Sequence, residues 1–159
     1  MMKLTLCALL LLAASLTAQA PGTVQPSVIM APVRNVQMNR GETRRVELDF
    51  RVGSSFHINS NKPKSNLLIP TTLKLAAPKP LEISSIEYPA GEDQSFPFSP
   101  NEKLSVYSGD FTVYVLLKAP PYLHGASFPV GGELYYQACD KNACYPPKKL
   151  AVQFDVSVR

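Results

Sequence analysis

Recurring period-two alternation, the lack of helical periodicity and 15 prolines in 159 residues predict an all-β chain. The expected fold is an immunoglobulin-like antiparallel β-sandwich, with roughly seven to nine short strands spaced about ten residues apart. Proline at nearly twice its usual share of about 5% breaks helices and marks strand ends and loops. Apolar residues at 45% against 18% charged exclude a disordered chain, and the length fits one domain. Tryptophan is absent and the cysteines are not widely spaced, so the chain is not patterned as an antibody domain.

Residues 1–20 read as a secretory signal peptide. Lys3 is followed by an apolar run from Leu4 to Ala14, broken only by Thr5, and Ala18-Gln19-Ala20 supplies small residues at a cut. Cleavage after Ala18 is the alternative, because Pro21 is unfavourable just past Ala20. The run is shorter than the about 20 apolar residues of a membrane anchor. Later apolar runs do not exceed the five residues Val113 to Leu117. Residues 21–159 are therefore expected to be one exported, soluble domain with no membrane span after signal cleavage.

Val28–Met30 is a weak first strand, and Asn39-Arg40-Gly41 marks a turn. From Arg45 to Val52, Val46, Leu48, Phe50 and Val52 alternate with Arg45, Glu47, Asp49 and Arg51, giving a dry face and a wet one. Gly53–Ile69 is irregular and holds Phe56-His57-Ile58-Asn59-Ser60-Asn61-Lys62-Pro63. Pro70–Leu75 and Leu81–Tyr88 are weak strands separated by Ala77-Pro78-Lys79-Pro80. Pro89–Lys103 reads as a second irregular loop, with Phe96 and Phe98 among acids and prolines, and Leu104–Tyr107 as a weak strand after it. Ser108-Gly109-Asp110 turns into Phe111–Leu117, where Phe111, Val113, Val115 and Leu117 point inward. Gly131-Gly132 signals a turn before Leu134, Tyr136 and Ala138. Val152, Phe154, Val156 and Val158 alternate with polar residues at the end.

The net charge of +4 comes from 16 scattered Lys and Arg, adjacent only at Arg44-Arg45 and Lys148-Lys149. That is a solvated basic surface and not a nucleic-acid interface. There is no glycine-rich phosphate loop and no nucleophile elbow. His57 and His124 read as polar loop residues, neither at ligand spacing to the cysteines, so no metal and no cofactor is expected. Cys7 belongs to the signal segment, which leaves Cys139 and Cys144. In an oxidising compartment the pair is expected as a disulfide. Spacing leaves two readings open. A staple closing so short a loop stabilises by roughly 2 kcal/mol. A redox pair needs an accessible sulfur, and alternation puts Cys139 beside Tyr135 and Gln137, out of the core and within reach of a partner.

Tyr136-Gln137-Ala138-Cys139 followed by Cys144-Tyr145-Pro146-Pro147 resembles the N-terminal periplasmic domain of the DsbD thiol:disulfide interchange family. That family reads Tyr-Gln-x-Cys, a short spacer, then Cys-Tyr-Pro-Pro. Phe56–Pro63 and Leu104–Tyr107 extend the likeness over nearly all of 21–159. The resemblance implies an immunoglobulin-like sandwich and a periplasmic oxidoreductase in which Cys139 and Cys144 cycle between dithiol and disulfide. Cys144 would form the mixed disulfide with a partner and Cys139 would resolve it. Tyr136, Gln137, Tyr145 and Pro146 would surround the site. Electrons would come from a thioredoxin-like protein or domain and pass to periplasmic thiol-disulfide proteins. The full-length family protein continues into transmembrane and thioredoxin-like domains, and this sequence ends at Arg159, so the donor is expected on a separate polypeptide. The four-residue spacer is shorter than the five of the best-known member. For Asp93, Phe96 and Phe98 two expectations stand: the rings tuck into a sheet edge, or one caps the disulfide, with Glu92-Asp93-Gln94-Ser95-Phe96 as the family-like cap. The alternative to a relay is a binding module whose disulfide is purely structural.

Overall fold

A computed structural model describes residues 27–123 and 125–159. The signal segment 1–20, Cys7 and His124 lie outside the described residues. The strands are β1 (Val28–Met30), β2 (Val36–Met38), β3 (Thr43–Val52), β4 (His57–Asn59), β5 (Thr72–Ala76) and β6 (Glu82–Glu87). They continue as β7 (Glu92–Phe96), β8 (Ser99–Tyr107), β9 (Asp110–Lys118), β10 (Ala126–Tyr136), β11 (Ala138–Cys139) and β12 (Lys148–Val158). No helix occurs among the described residues.

The strands form three four-stranded sheets, ordered β1-β3-β9-β6, β2-β12-β10-β5 and β11-β4-β8-β7. Pairing is antiparallel except for β2, which lies parallel to β12. The first two sheets bury one face each. Val46, Leu48, Phe50, Val113, Val115 and Leu117 from one meet Val130, Leu134, Val152, Phe154, Val156 and Val158 from the other in a single apolar cluster. Each such side chain contributes about 1.5–3 kcal/mol by leaving water. The charged residues between them stay outside, where Arg51 pairs with Asp110 at 2.5 Å and the Arg45 guanidinium lies 3.5 Å above the Tyr114 ring. This is the immunoglobulin-like sandwich that the alternation anticipates.

Several local expectations change. Among the described residues the strands number twelve, more than the seven to nine read from sequence. Gly131-Gly132 is not a turn but the middle of β10, where Gly132 faces Leu75 on one side and Val152 on the other. A Cβ at Gly132 would overlap the Lys74 carbonyl oxygen, so the glycine is there for close backbone approach. Pro89–Lys103 is not an irregular loop. It folds into the β7–β8 hairpin, with a register shift between Ser95 and Phe96. Within Gly53–Ile69, His57–Asn59 is a strand, so His57 is not a loop residue.

The third sheet carries the site. β10 ends at Tyr136 and β11 begins at Ala138, and across that break the chain leaves the second sheet and pairs with β4. Ile58, Tyr107 and Ala138 turn toward the main apolar cluster. Alternation then sends His57, Asn59 and Cys139 to the opposite face, together with Leu104 and Val106.

Candidate functional site

Cys139 and Cys144 face each other across an antiparallel bridge and form a disulfide, with Cα atoms 3.9 Å apart. The turn between them is organised by one side chain. Asp140 Oδ1 accepts from the amides of Asn142 at 2.7 Å and Ala143 at 2.8 Å, and Oδ2 accepts from the Tyr145 hydroxyl at 2.7 Å. The Asp140 amide in turn donates to the Ala143 carbonyl, and the Tyr145 amide to the Ala138 carbonyl, both at 2.9 Å. The Asn142 amide, the Tyr145 hydroxyl and the Ala143 amide, in that order, hold the Asp140 carboxyl below its ordinary 3.8, and His57 adds a smaller pull. Donating to Asp140 pushes the Tyr145 phenol above its ordinary 10.0.

The two sulfurs sit in unlike surroundings. Cys139 is 0% exposed, whereas Cys144 is an exposed residue at the surface end of the turn. The alternation correctly turns Cys139 away from the main core, but the expectation that a partner reaches its sulfur fails. The outer face of the third sheet is itself covered, so Leu104 and Val106 beside it are buried as well. Only Cys144 is presented to solvent.

His57 stands directly opposite Cys139 in the β4–β11 register. It is 4% exposed, and its Nε2 has no hydrogen-bond partner. Burial pushes its pKa below the ordinary 6.5, and the Asp140 charge opposes that shift. Phe96 stacks on the imidazole with centroids 3.9 Å apart and planes 18° from parallel. Phe98 lies 5.4 Å from Phe96 in the same nearly parallel array and is 38% exposed.

The sequence-predicted residues fall into three groups. Gln137 and Tyr145 flank the disulfide: Gln137 Nε2 donates to the Tyr145 carbonyl at 3.1 Å, and the Tyr145 ring meets Phe56 edge-on at 5.8 Å. Pro146 is exposed just beyond Cys144. Phe96 and Phe98 reach the site through His57. Two residues are directed elsewhere. Tyr136 is buried in the main core, its hydroxyl accepting from the Val28 amide at 3.2 Å, and Asp93 is an exposed residue bonded to Lys64 at 2.5 Å. Sequence reasoning misses Asp140 and His57. An aspartate followed by Asn142 and Ala143 inside a cysteine turn is the signal for the first, because Asp side chains cap amides two and three residues on. The burial of His57 depends on the distant β7–β8 hairpin and leaves no local sign.

Residues 26–155 match the family described as thiol:disulfide interchange protein DsbD, N-terminal. Similar solved structures include the Neisseria meningitidis DsbD N-terminal domain in the reduced form, 19% identical, with 70% of this chain and 75% of that chain covered and a TM-score of 0.42. The complex between the DsbD and PilB N-terminal domains from Neisseria meningitidis gives 20% identity, 70% and 73% coverage and a TM-score of 0.42. The seventh ScaB type I cohesin from Pseudobacteroides cellulosolvens gives 14% identity, 80% and 89% coverage and a TM-score of 0.50, a likeness of fold. No curated protein matches the chain. No helix among the described residues is long and apolar enough to cross a membrane. The matched span takes in eleven strands whole, most of the twelfth, and both disulfide cysteines. The chain belongs to the family of the DsbD N-terminal thiol:disulfide interchange domain.

Proposed function

We propose that this chain is a periplasmic electron relay, with residues 1–20 removed on export and 21–159 acting as a thiol-disulfide oxidoreductase domain. The observation that carries the reading is the asymmetry of the disulfide, with Cys144 exposed and Cys139 fully buried, inside a family-matched segment. A thiolate of a thioredoxin-like donor attacks Cys144 Sγ. A donor–Cys144 bond forms, the Cys139–Cys144 bond breaks, and its electron pair leaves on Cys139. The donor's second thiolate then attacks the donor sulfur of the mixed disulfide and frees Cys144. The domain now holds two thiols and the donor a disulfide. Cys144 thiolate next attacks the disulfide of a periplasmic acceptor, and Cys139 attacks Cys144 to release the acceptor reduced. Two electrons pass and the Cys139–Cys144 disulfide is restored. The Asp140 turn keeps Cys144 presented, and Phe96, resting on His57 beside Cys139, serves as a cap that a partner displaces.

Single-cysteine variants test this. Cys139→Ser leaves the outward sulfur without its resolving partner and should accumulate a covalent adduct, on mild oxidation, with a thioredoxin-like protein whose own second cysteine is replaced by serine. Cys144→Ser leaves only a buried thiol and should trap little. The reverse pattern would overturn the assignment of roles. A second reading, a binding module with a structural disulfide, draws on the complete burial of Cys139. It expects neither variant to trap a partner.

A further inference from the structure

The relay cycle requires Cys139 to attack as a thiolate, although it is 0% exposed. Thiols in apolar surroundings hold their protons, and water cannot reach this one to remove it. A proton acceptor is therefore needed within the buried face. His57 occupies the position directly across the strand pair, so its side chain leaves the sheet on the same side as that of Cys139. Paired Cβ atoms on facing strands lie about 4.5–5.5 Å apart, which brings an imidazole within reach of the sulfur. His57 is itself 4% exposed, and its Nε2 is buried with no hydrogen-bond partner. A buried polar atom left unpaired costs stability and calls for an explanation, of which a redox or catalytic role is one. Phe96 packs flat over the ring at 3.9 Å and closes it from solvent.

We propose that His57 is the proton partner of Cys139, taking the thiol proton when Cys139 attacks the mixed disulfide at Cys144 and returning it when the bond is broken again. The inference rests on the relay reading given above. In the closing direction neutral imidazole accepts the proton and becomes imidazolium. Cys139 Sγ bonds to Cys144 Sγ, the partner–Cys144 bond breaks, and the partner leaves as thiolate with the electron pair. In the opening direction the departing Cys139 thiolate receives a proton through the imidazole, which takes it up from solvent as the bond breaks and passes it on. The electron count is that of ordinary thiol-disulfide exchange, and one proton moves with it.

The groups around His57 suit the task. From β11 and its turn, the Asp140 carboxylate favours the imidazolium, while the Tyr145 phenol is committed to Asp140. From the hairpin, Phe96 and Phe98 carry no charge. Glu92, on the same face, is engaged by Gln94 at 3.1 Å and by Ser108 at 3.4 Å. Tyr107 pairs with Ile58 and lies on the opposite face. Burial lowers the His57 pKa, which leaves the free base in place at neutral pH.

The test uses the full chain, reduced and then mixed with oxidised glutathione, with ring closure read by rapid quenching and mass spectrometry from about pH 5 to about pH 9. Wild-type closure should fall as His57 takes up a proton below pH 6.5 and level off above it. His57→Gln and His57→Phe should slow closure at pH 7 by roughly a hundredfold, the lower range for a general base. Their rates should climb toward wild type as the thiol ionises by itself at high pH. Glutathione capture at Cys144 should be unchanged in both. An unaltered pH profile in either folded variant overturns the proposal. If neither variant folds, imidazole NMR on the wild-type chain decides: the His57 titration should shift between disulfide and dithiol forms, and an identical titration overturns the proposal. A reduced wild-type chain that forms neither a glutathione adduct nor the Cys139–Cys144 disulfide defeats the relay reading itself, and the proposal with it.

Discussion

Asp140 binds three donors with its two carboxylate oxygens, so a single residue holds the turn that presents Cys144. Its pKa in the fold lies below the ordinary 3.8. The stability it adds is therefore fully present above that value and is lost as pH falls through the depressed one. At pH 6, Asp140→Asn should speed hydrogen exchange at the Asn142 and Ala143 amides and leave the sandwich strands unaffected. His57 follows the same sign by another cause. Burial lowers its pKa below 6.5, so the unfolded chain takes up a proton first as pH drops, and stability should decline from pH 6.5 downward. Denaturant midpoints at pH 7.5 and 5.5 should differ less in His57→Phe than in wild type, because the variant loses that linkage. Neither residue could be weighted from sequence by apolar patterning, since Asp140 acts through local hydrogen bonds and His57 through a contact with a strand 35 or more positions away. The cysteine pair was legible because its flanking residues are distinctive. The burial of Cys139 was not, because alternation reports which face a side chain takes and not what covers that face.

The β7–β8 hairpin is the element that sequence patterning hid. Glu92-Asp93-Gln94-Ser95 offers no apolar alternation, because β7 is an edge strand with solvent on most of its surface. β3 and β12 were plain for the opposite reason: buried and solvent-facing residues alternate from Val46 to Val52 in one and from Val152 to Val158 in the other. The glycines of β10 misled because glycine marks both turns and sites of close strand approach, and only the fold distinguishes them. The hairpin has a function to test at its own scale. Phe96 rests on His57 and not in the main core, so Phe96→Ala should speed reduction of the disulfide by glutathione roughly two- to tenfold, the worth of one aromatic ring contact. The accompanying stability loss should stay below the about 3–5 kcal/mol of a core Phe→Ala change. Unchanged reduction rates with a large loss in thermal stability would mean that the ring is packing and not a cap.

For the whole molecule, most of the main core comes from the first two sheets, with Ile58, Tyr107 and Ala138 joining it from the third, and the disulfide lies on the side of the third sheet away from that core. Leu48→Ala, in the centre of β3 and fully buried, should cost about 2–5 kcal/mol in equilibrium unfolding. The double variant Cys139→Ser/Cys144→Ser removes a link between residues only five apart, worth roughly 2 kcal/mol of a typical 5–15. It should keep one cooperative thermal transition. The division of labour explains why the sandwich could be read from alternation while the covered face of the third sheet could not: the first depends on local periodicity, the second on which distant segments meet. A Cys139–Cys144 disulfide that exchanges electrons must do so in a domain that stays folded. Its reduction potential is measurable by equilibration with a thioredoxin of known potential while far-ultraviolet dichroism is followed. A relay disulfide should lie above about −300 mV with the fold retained in both states, whereas a value well below about −300 mV, the range of structural disulfides, would show a staple.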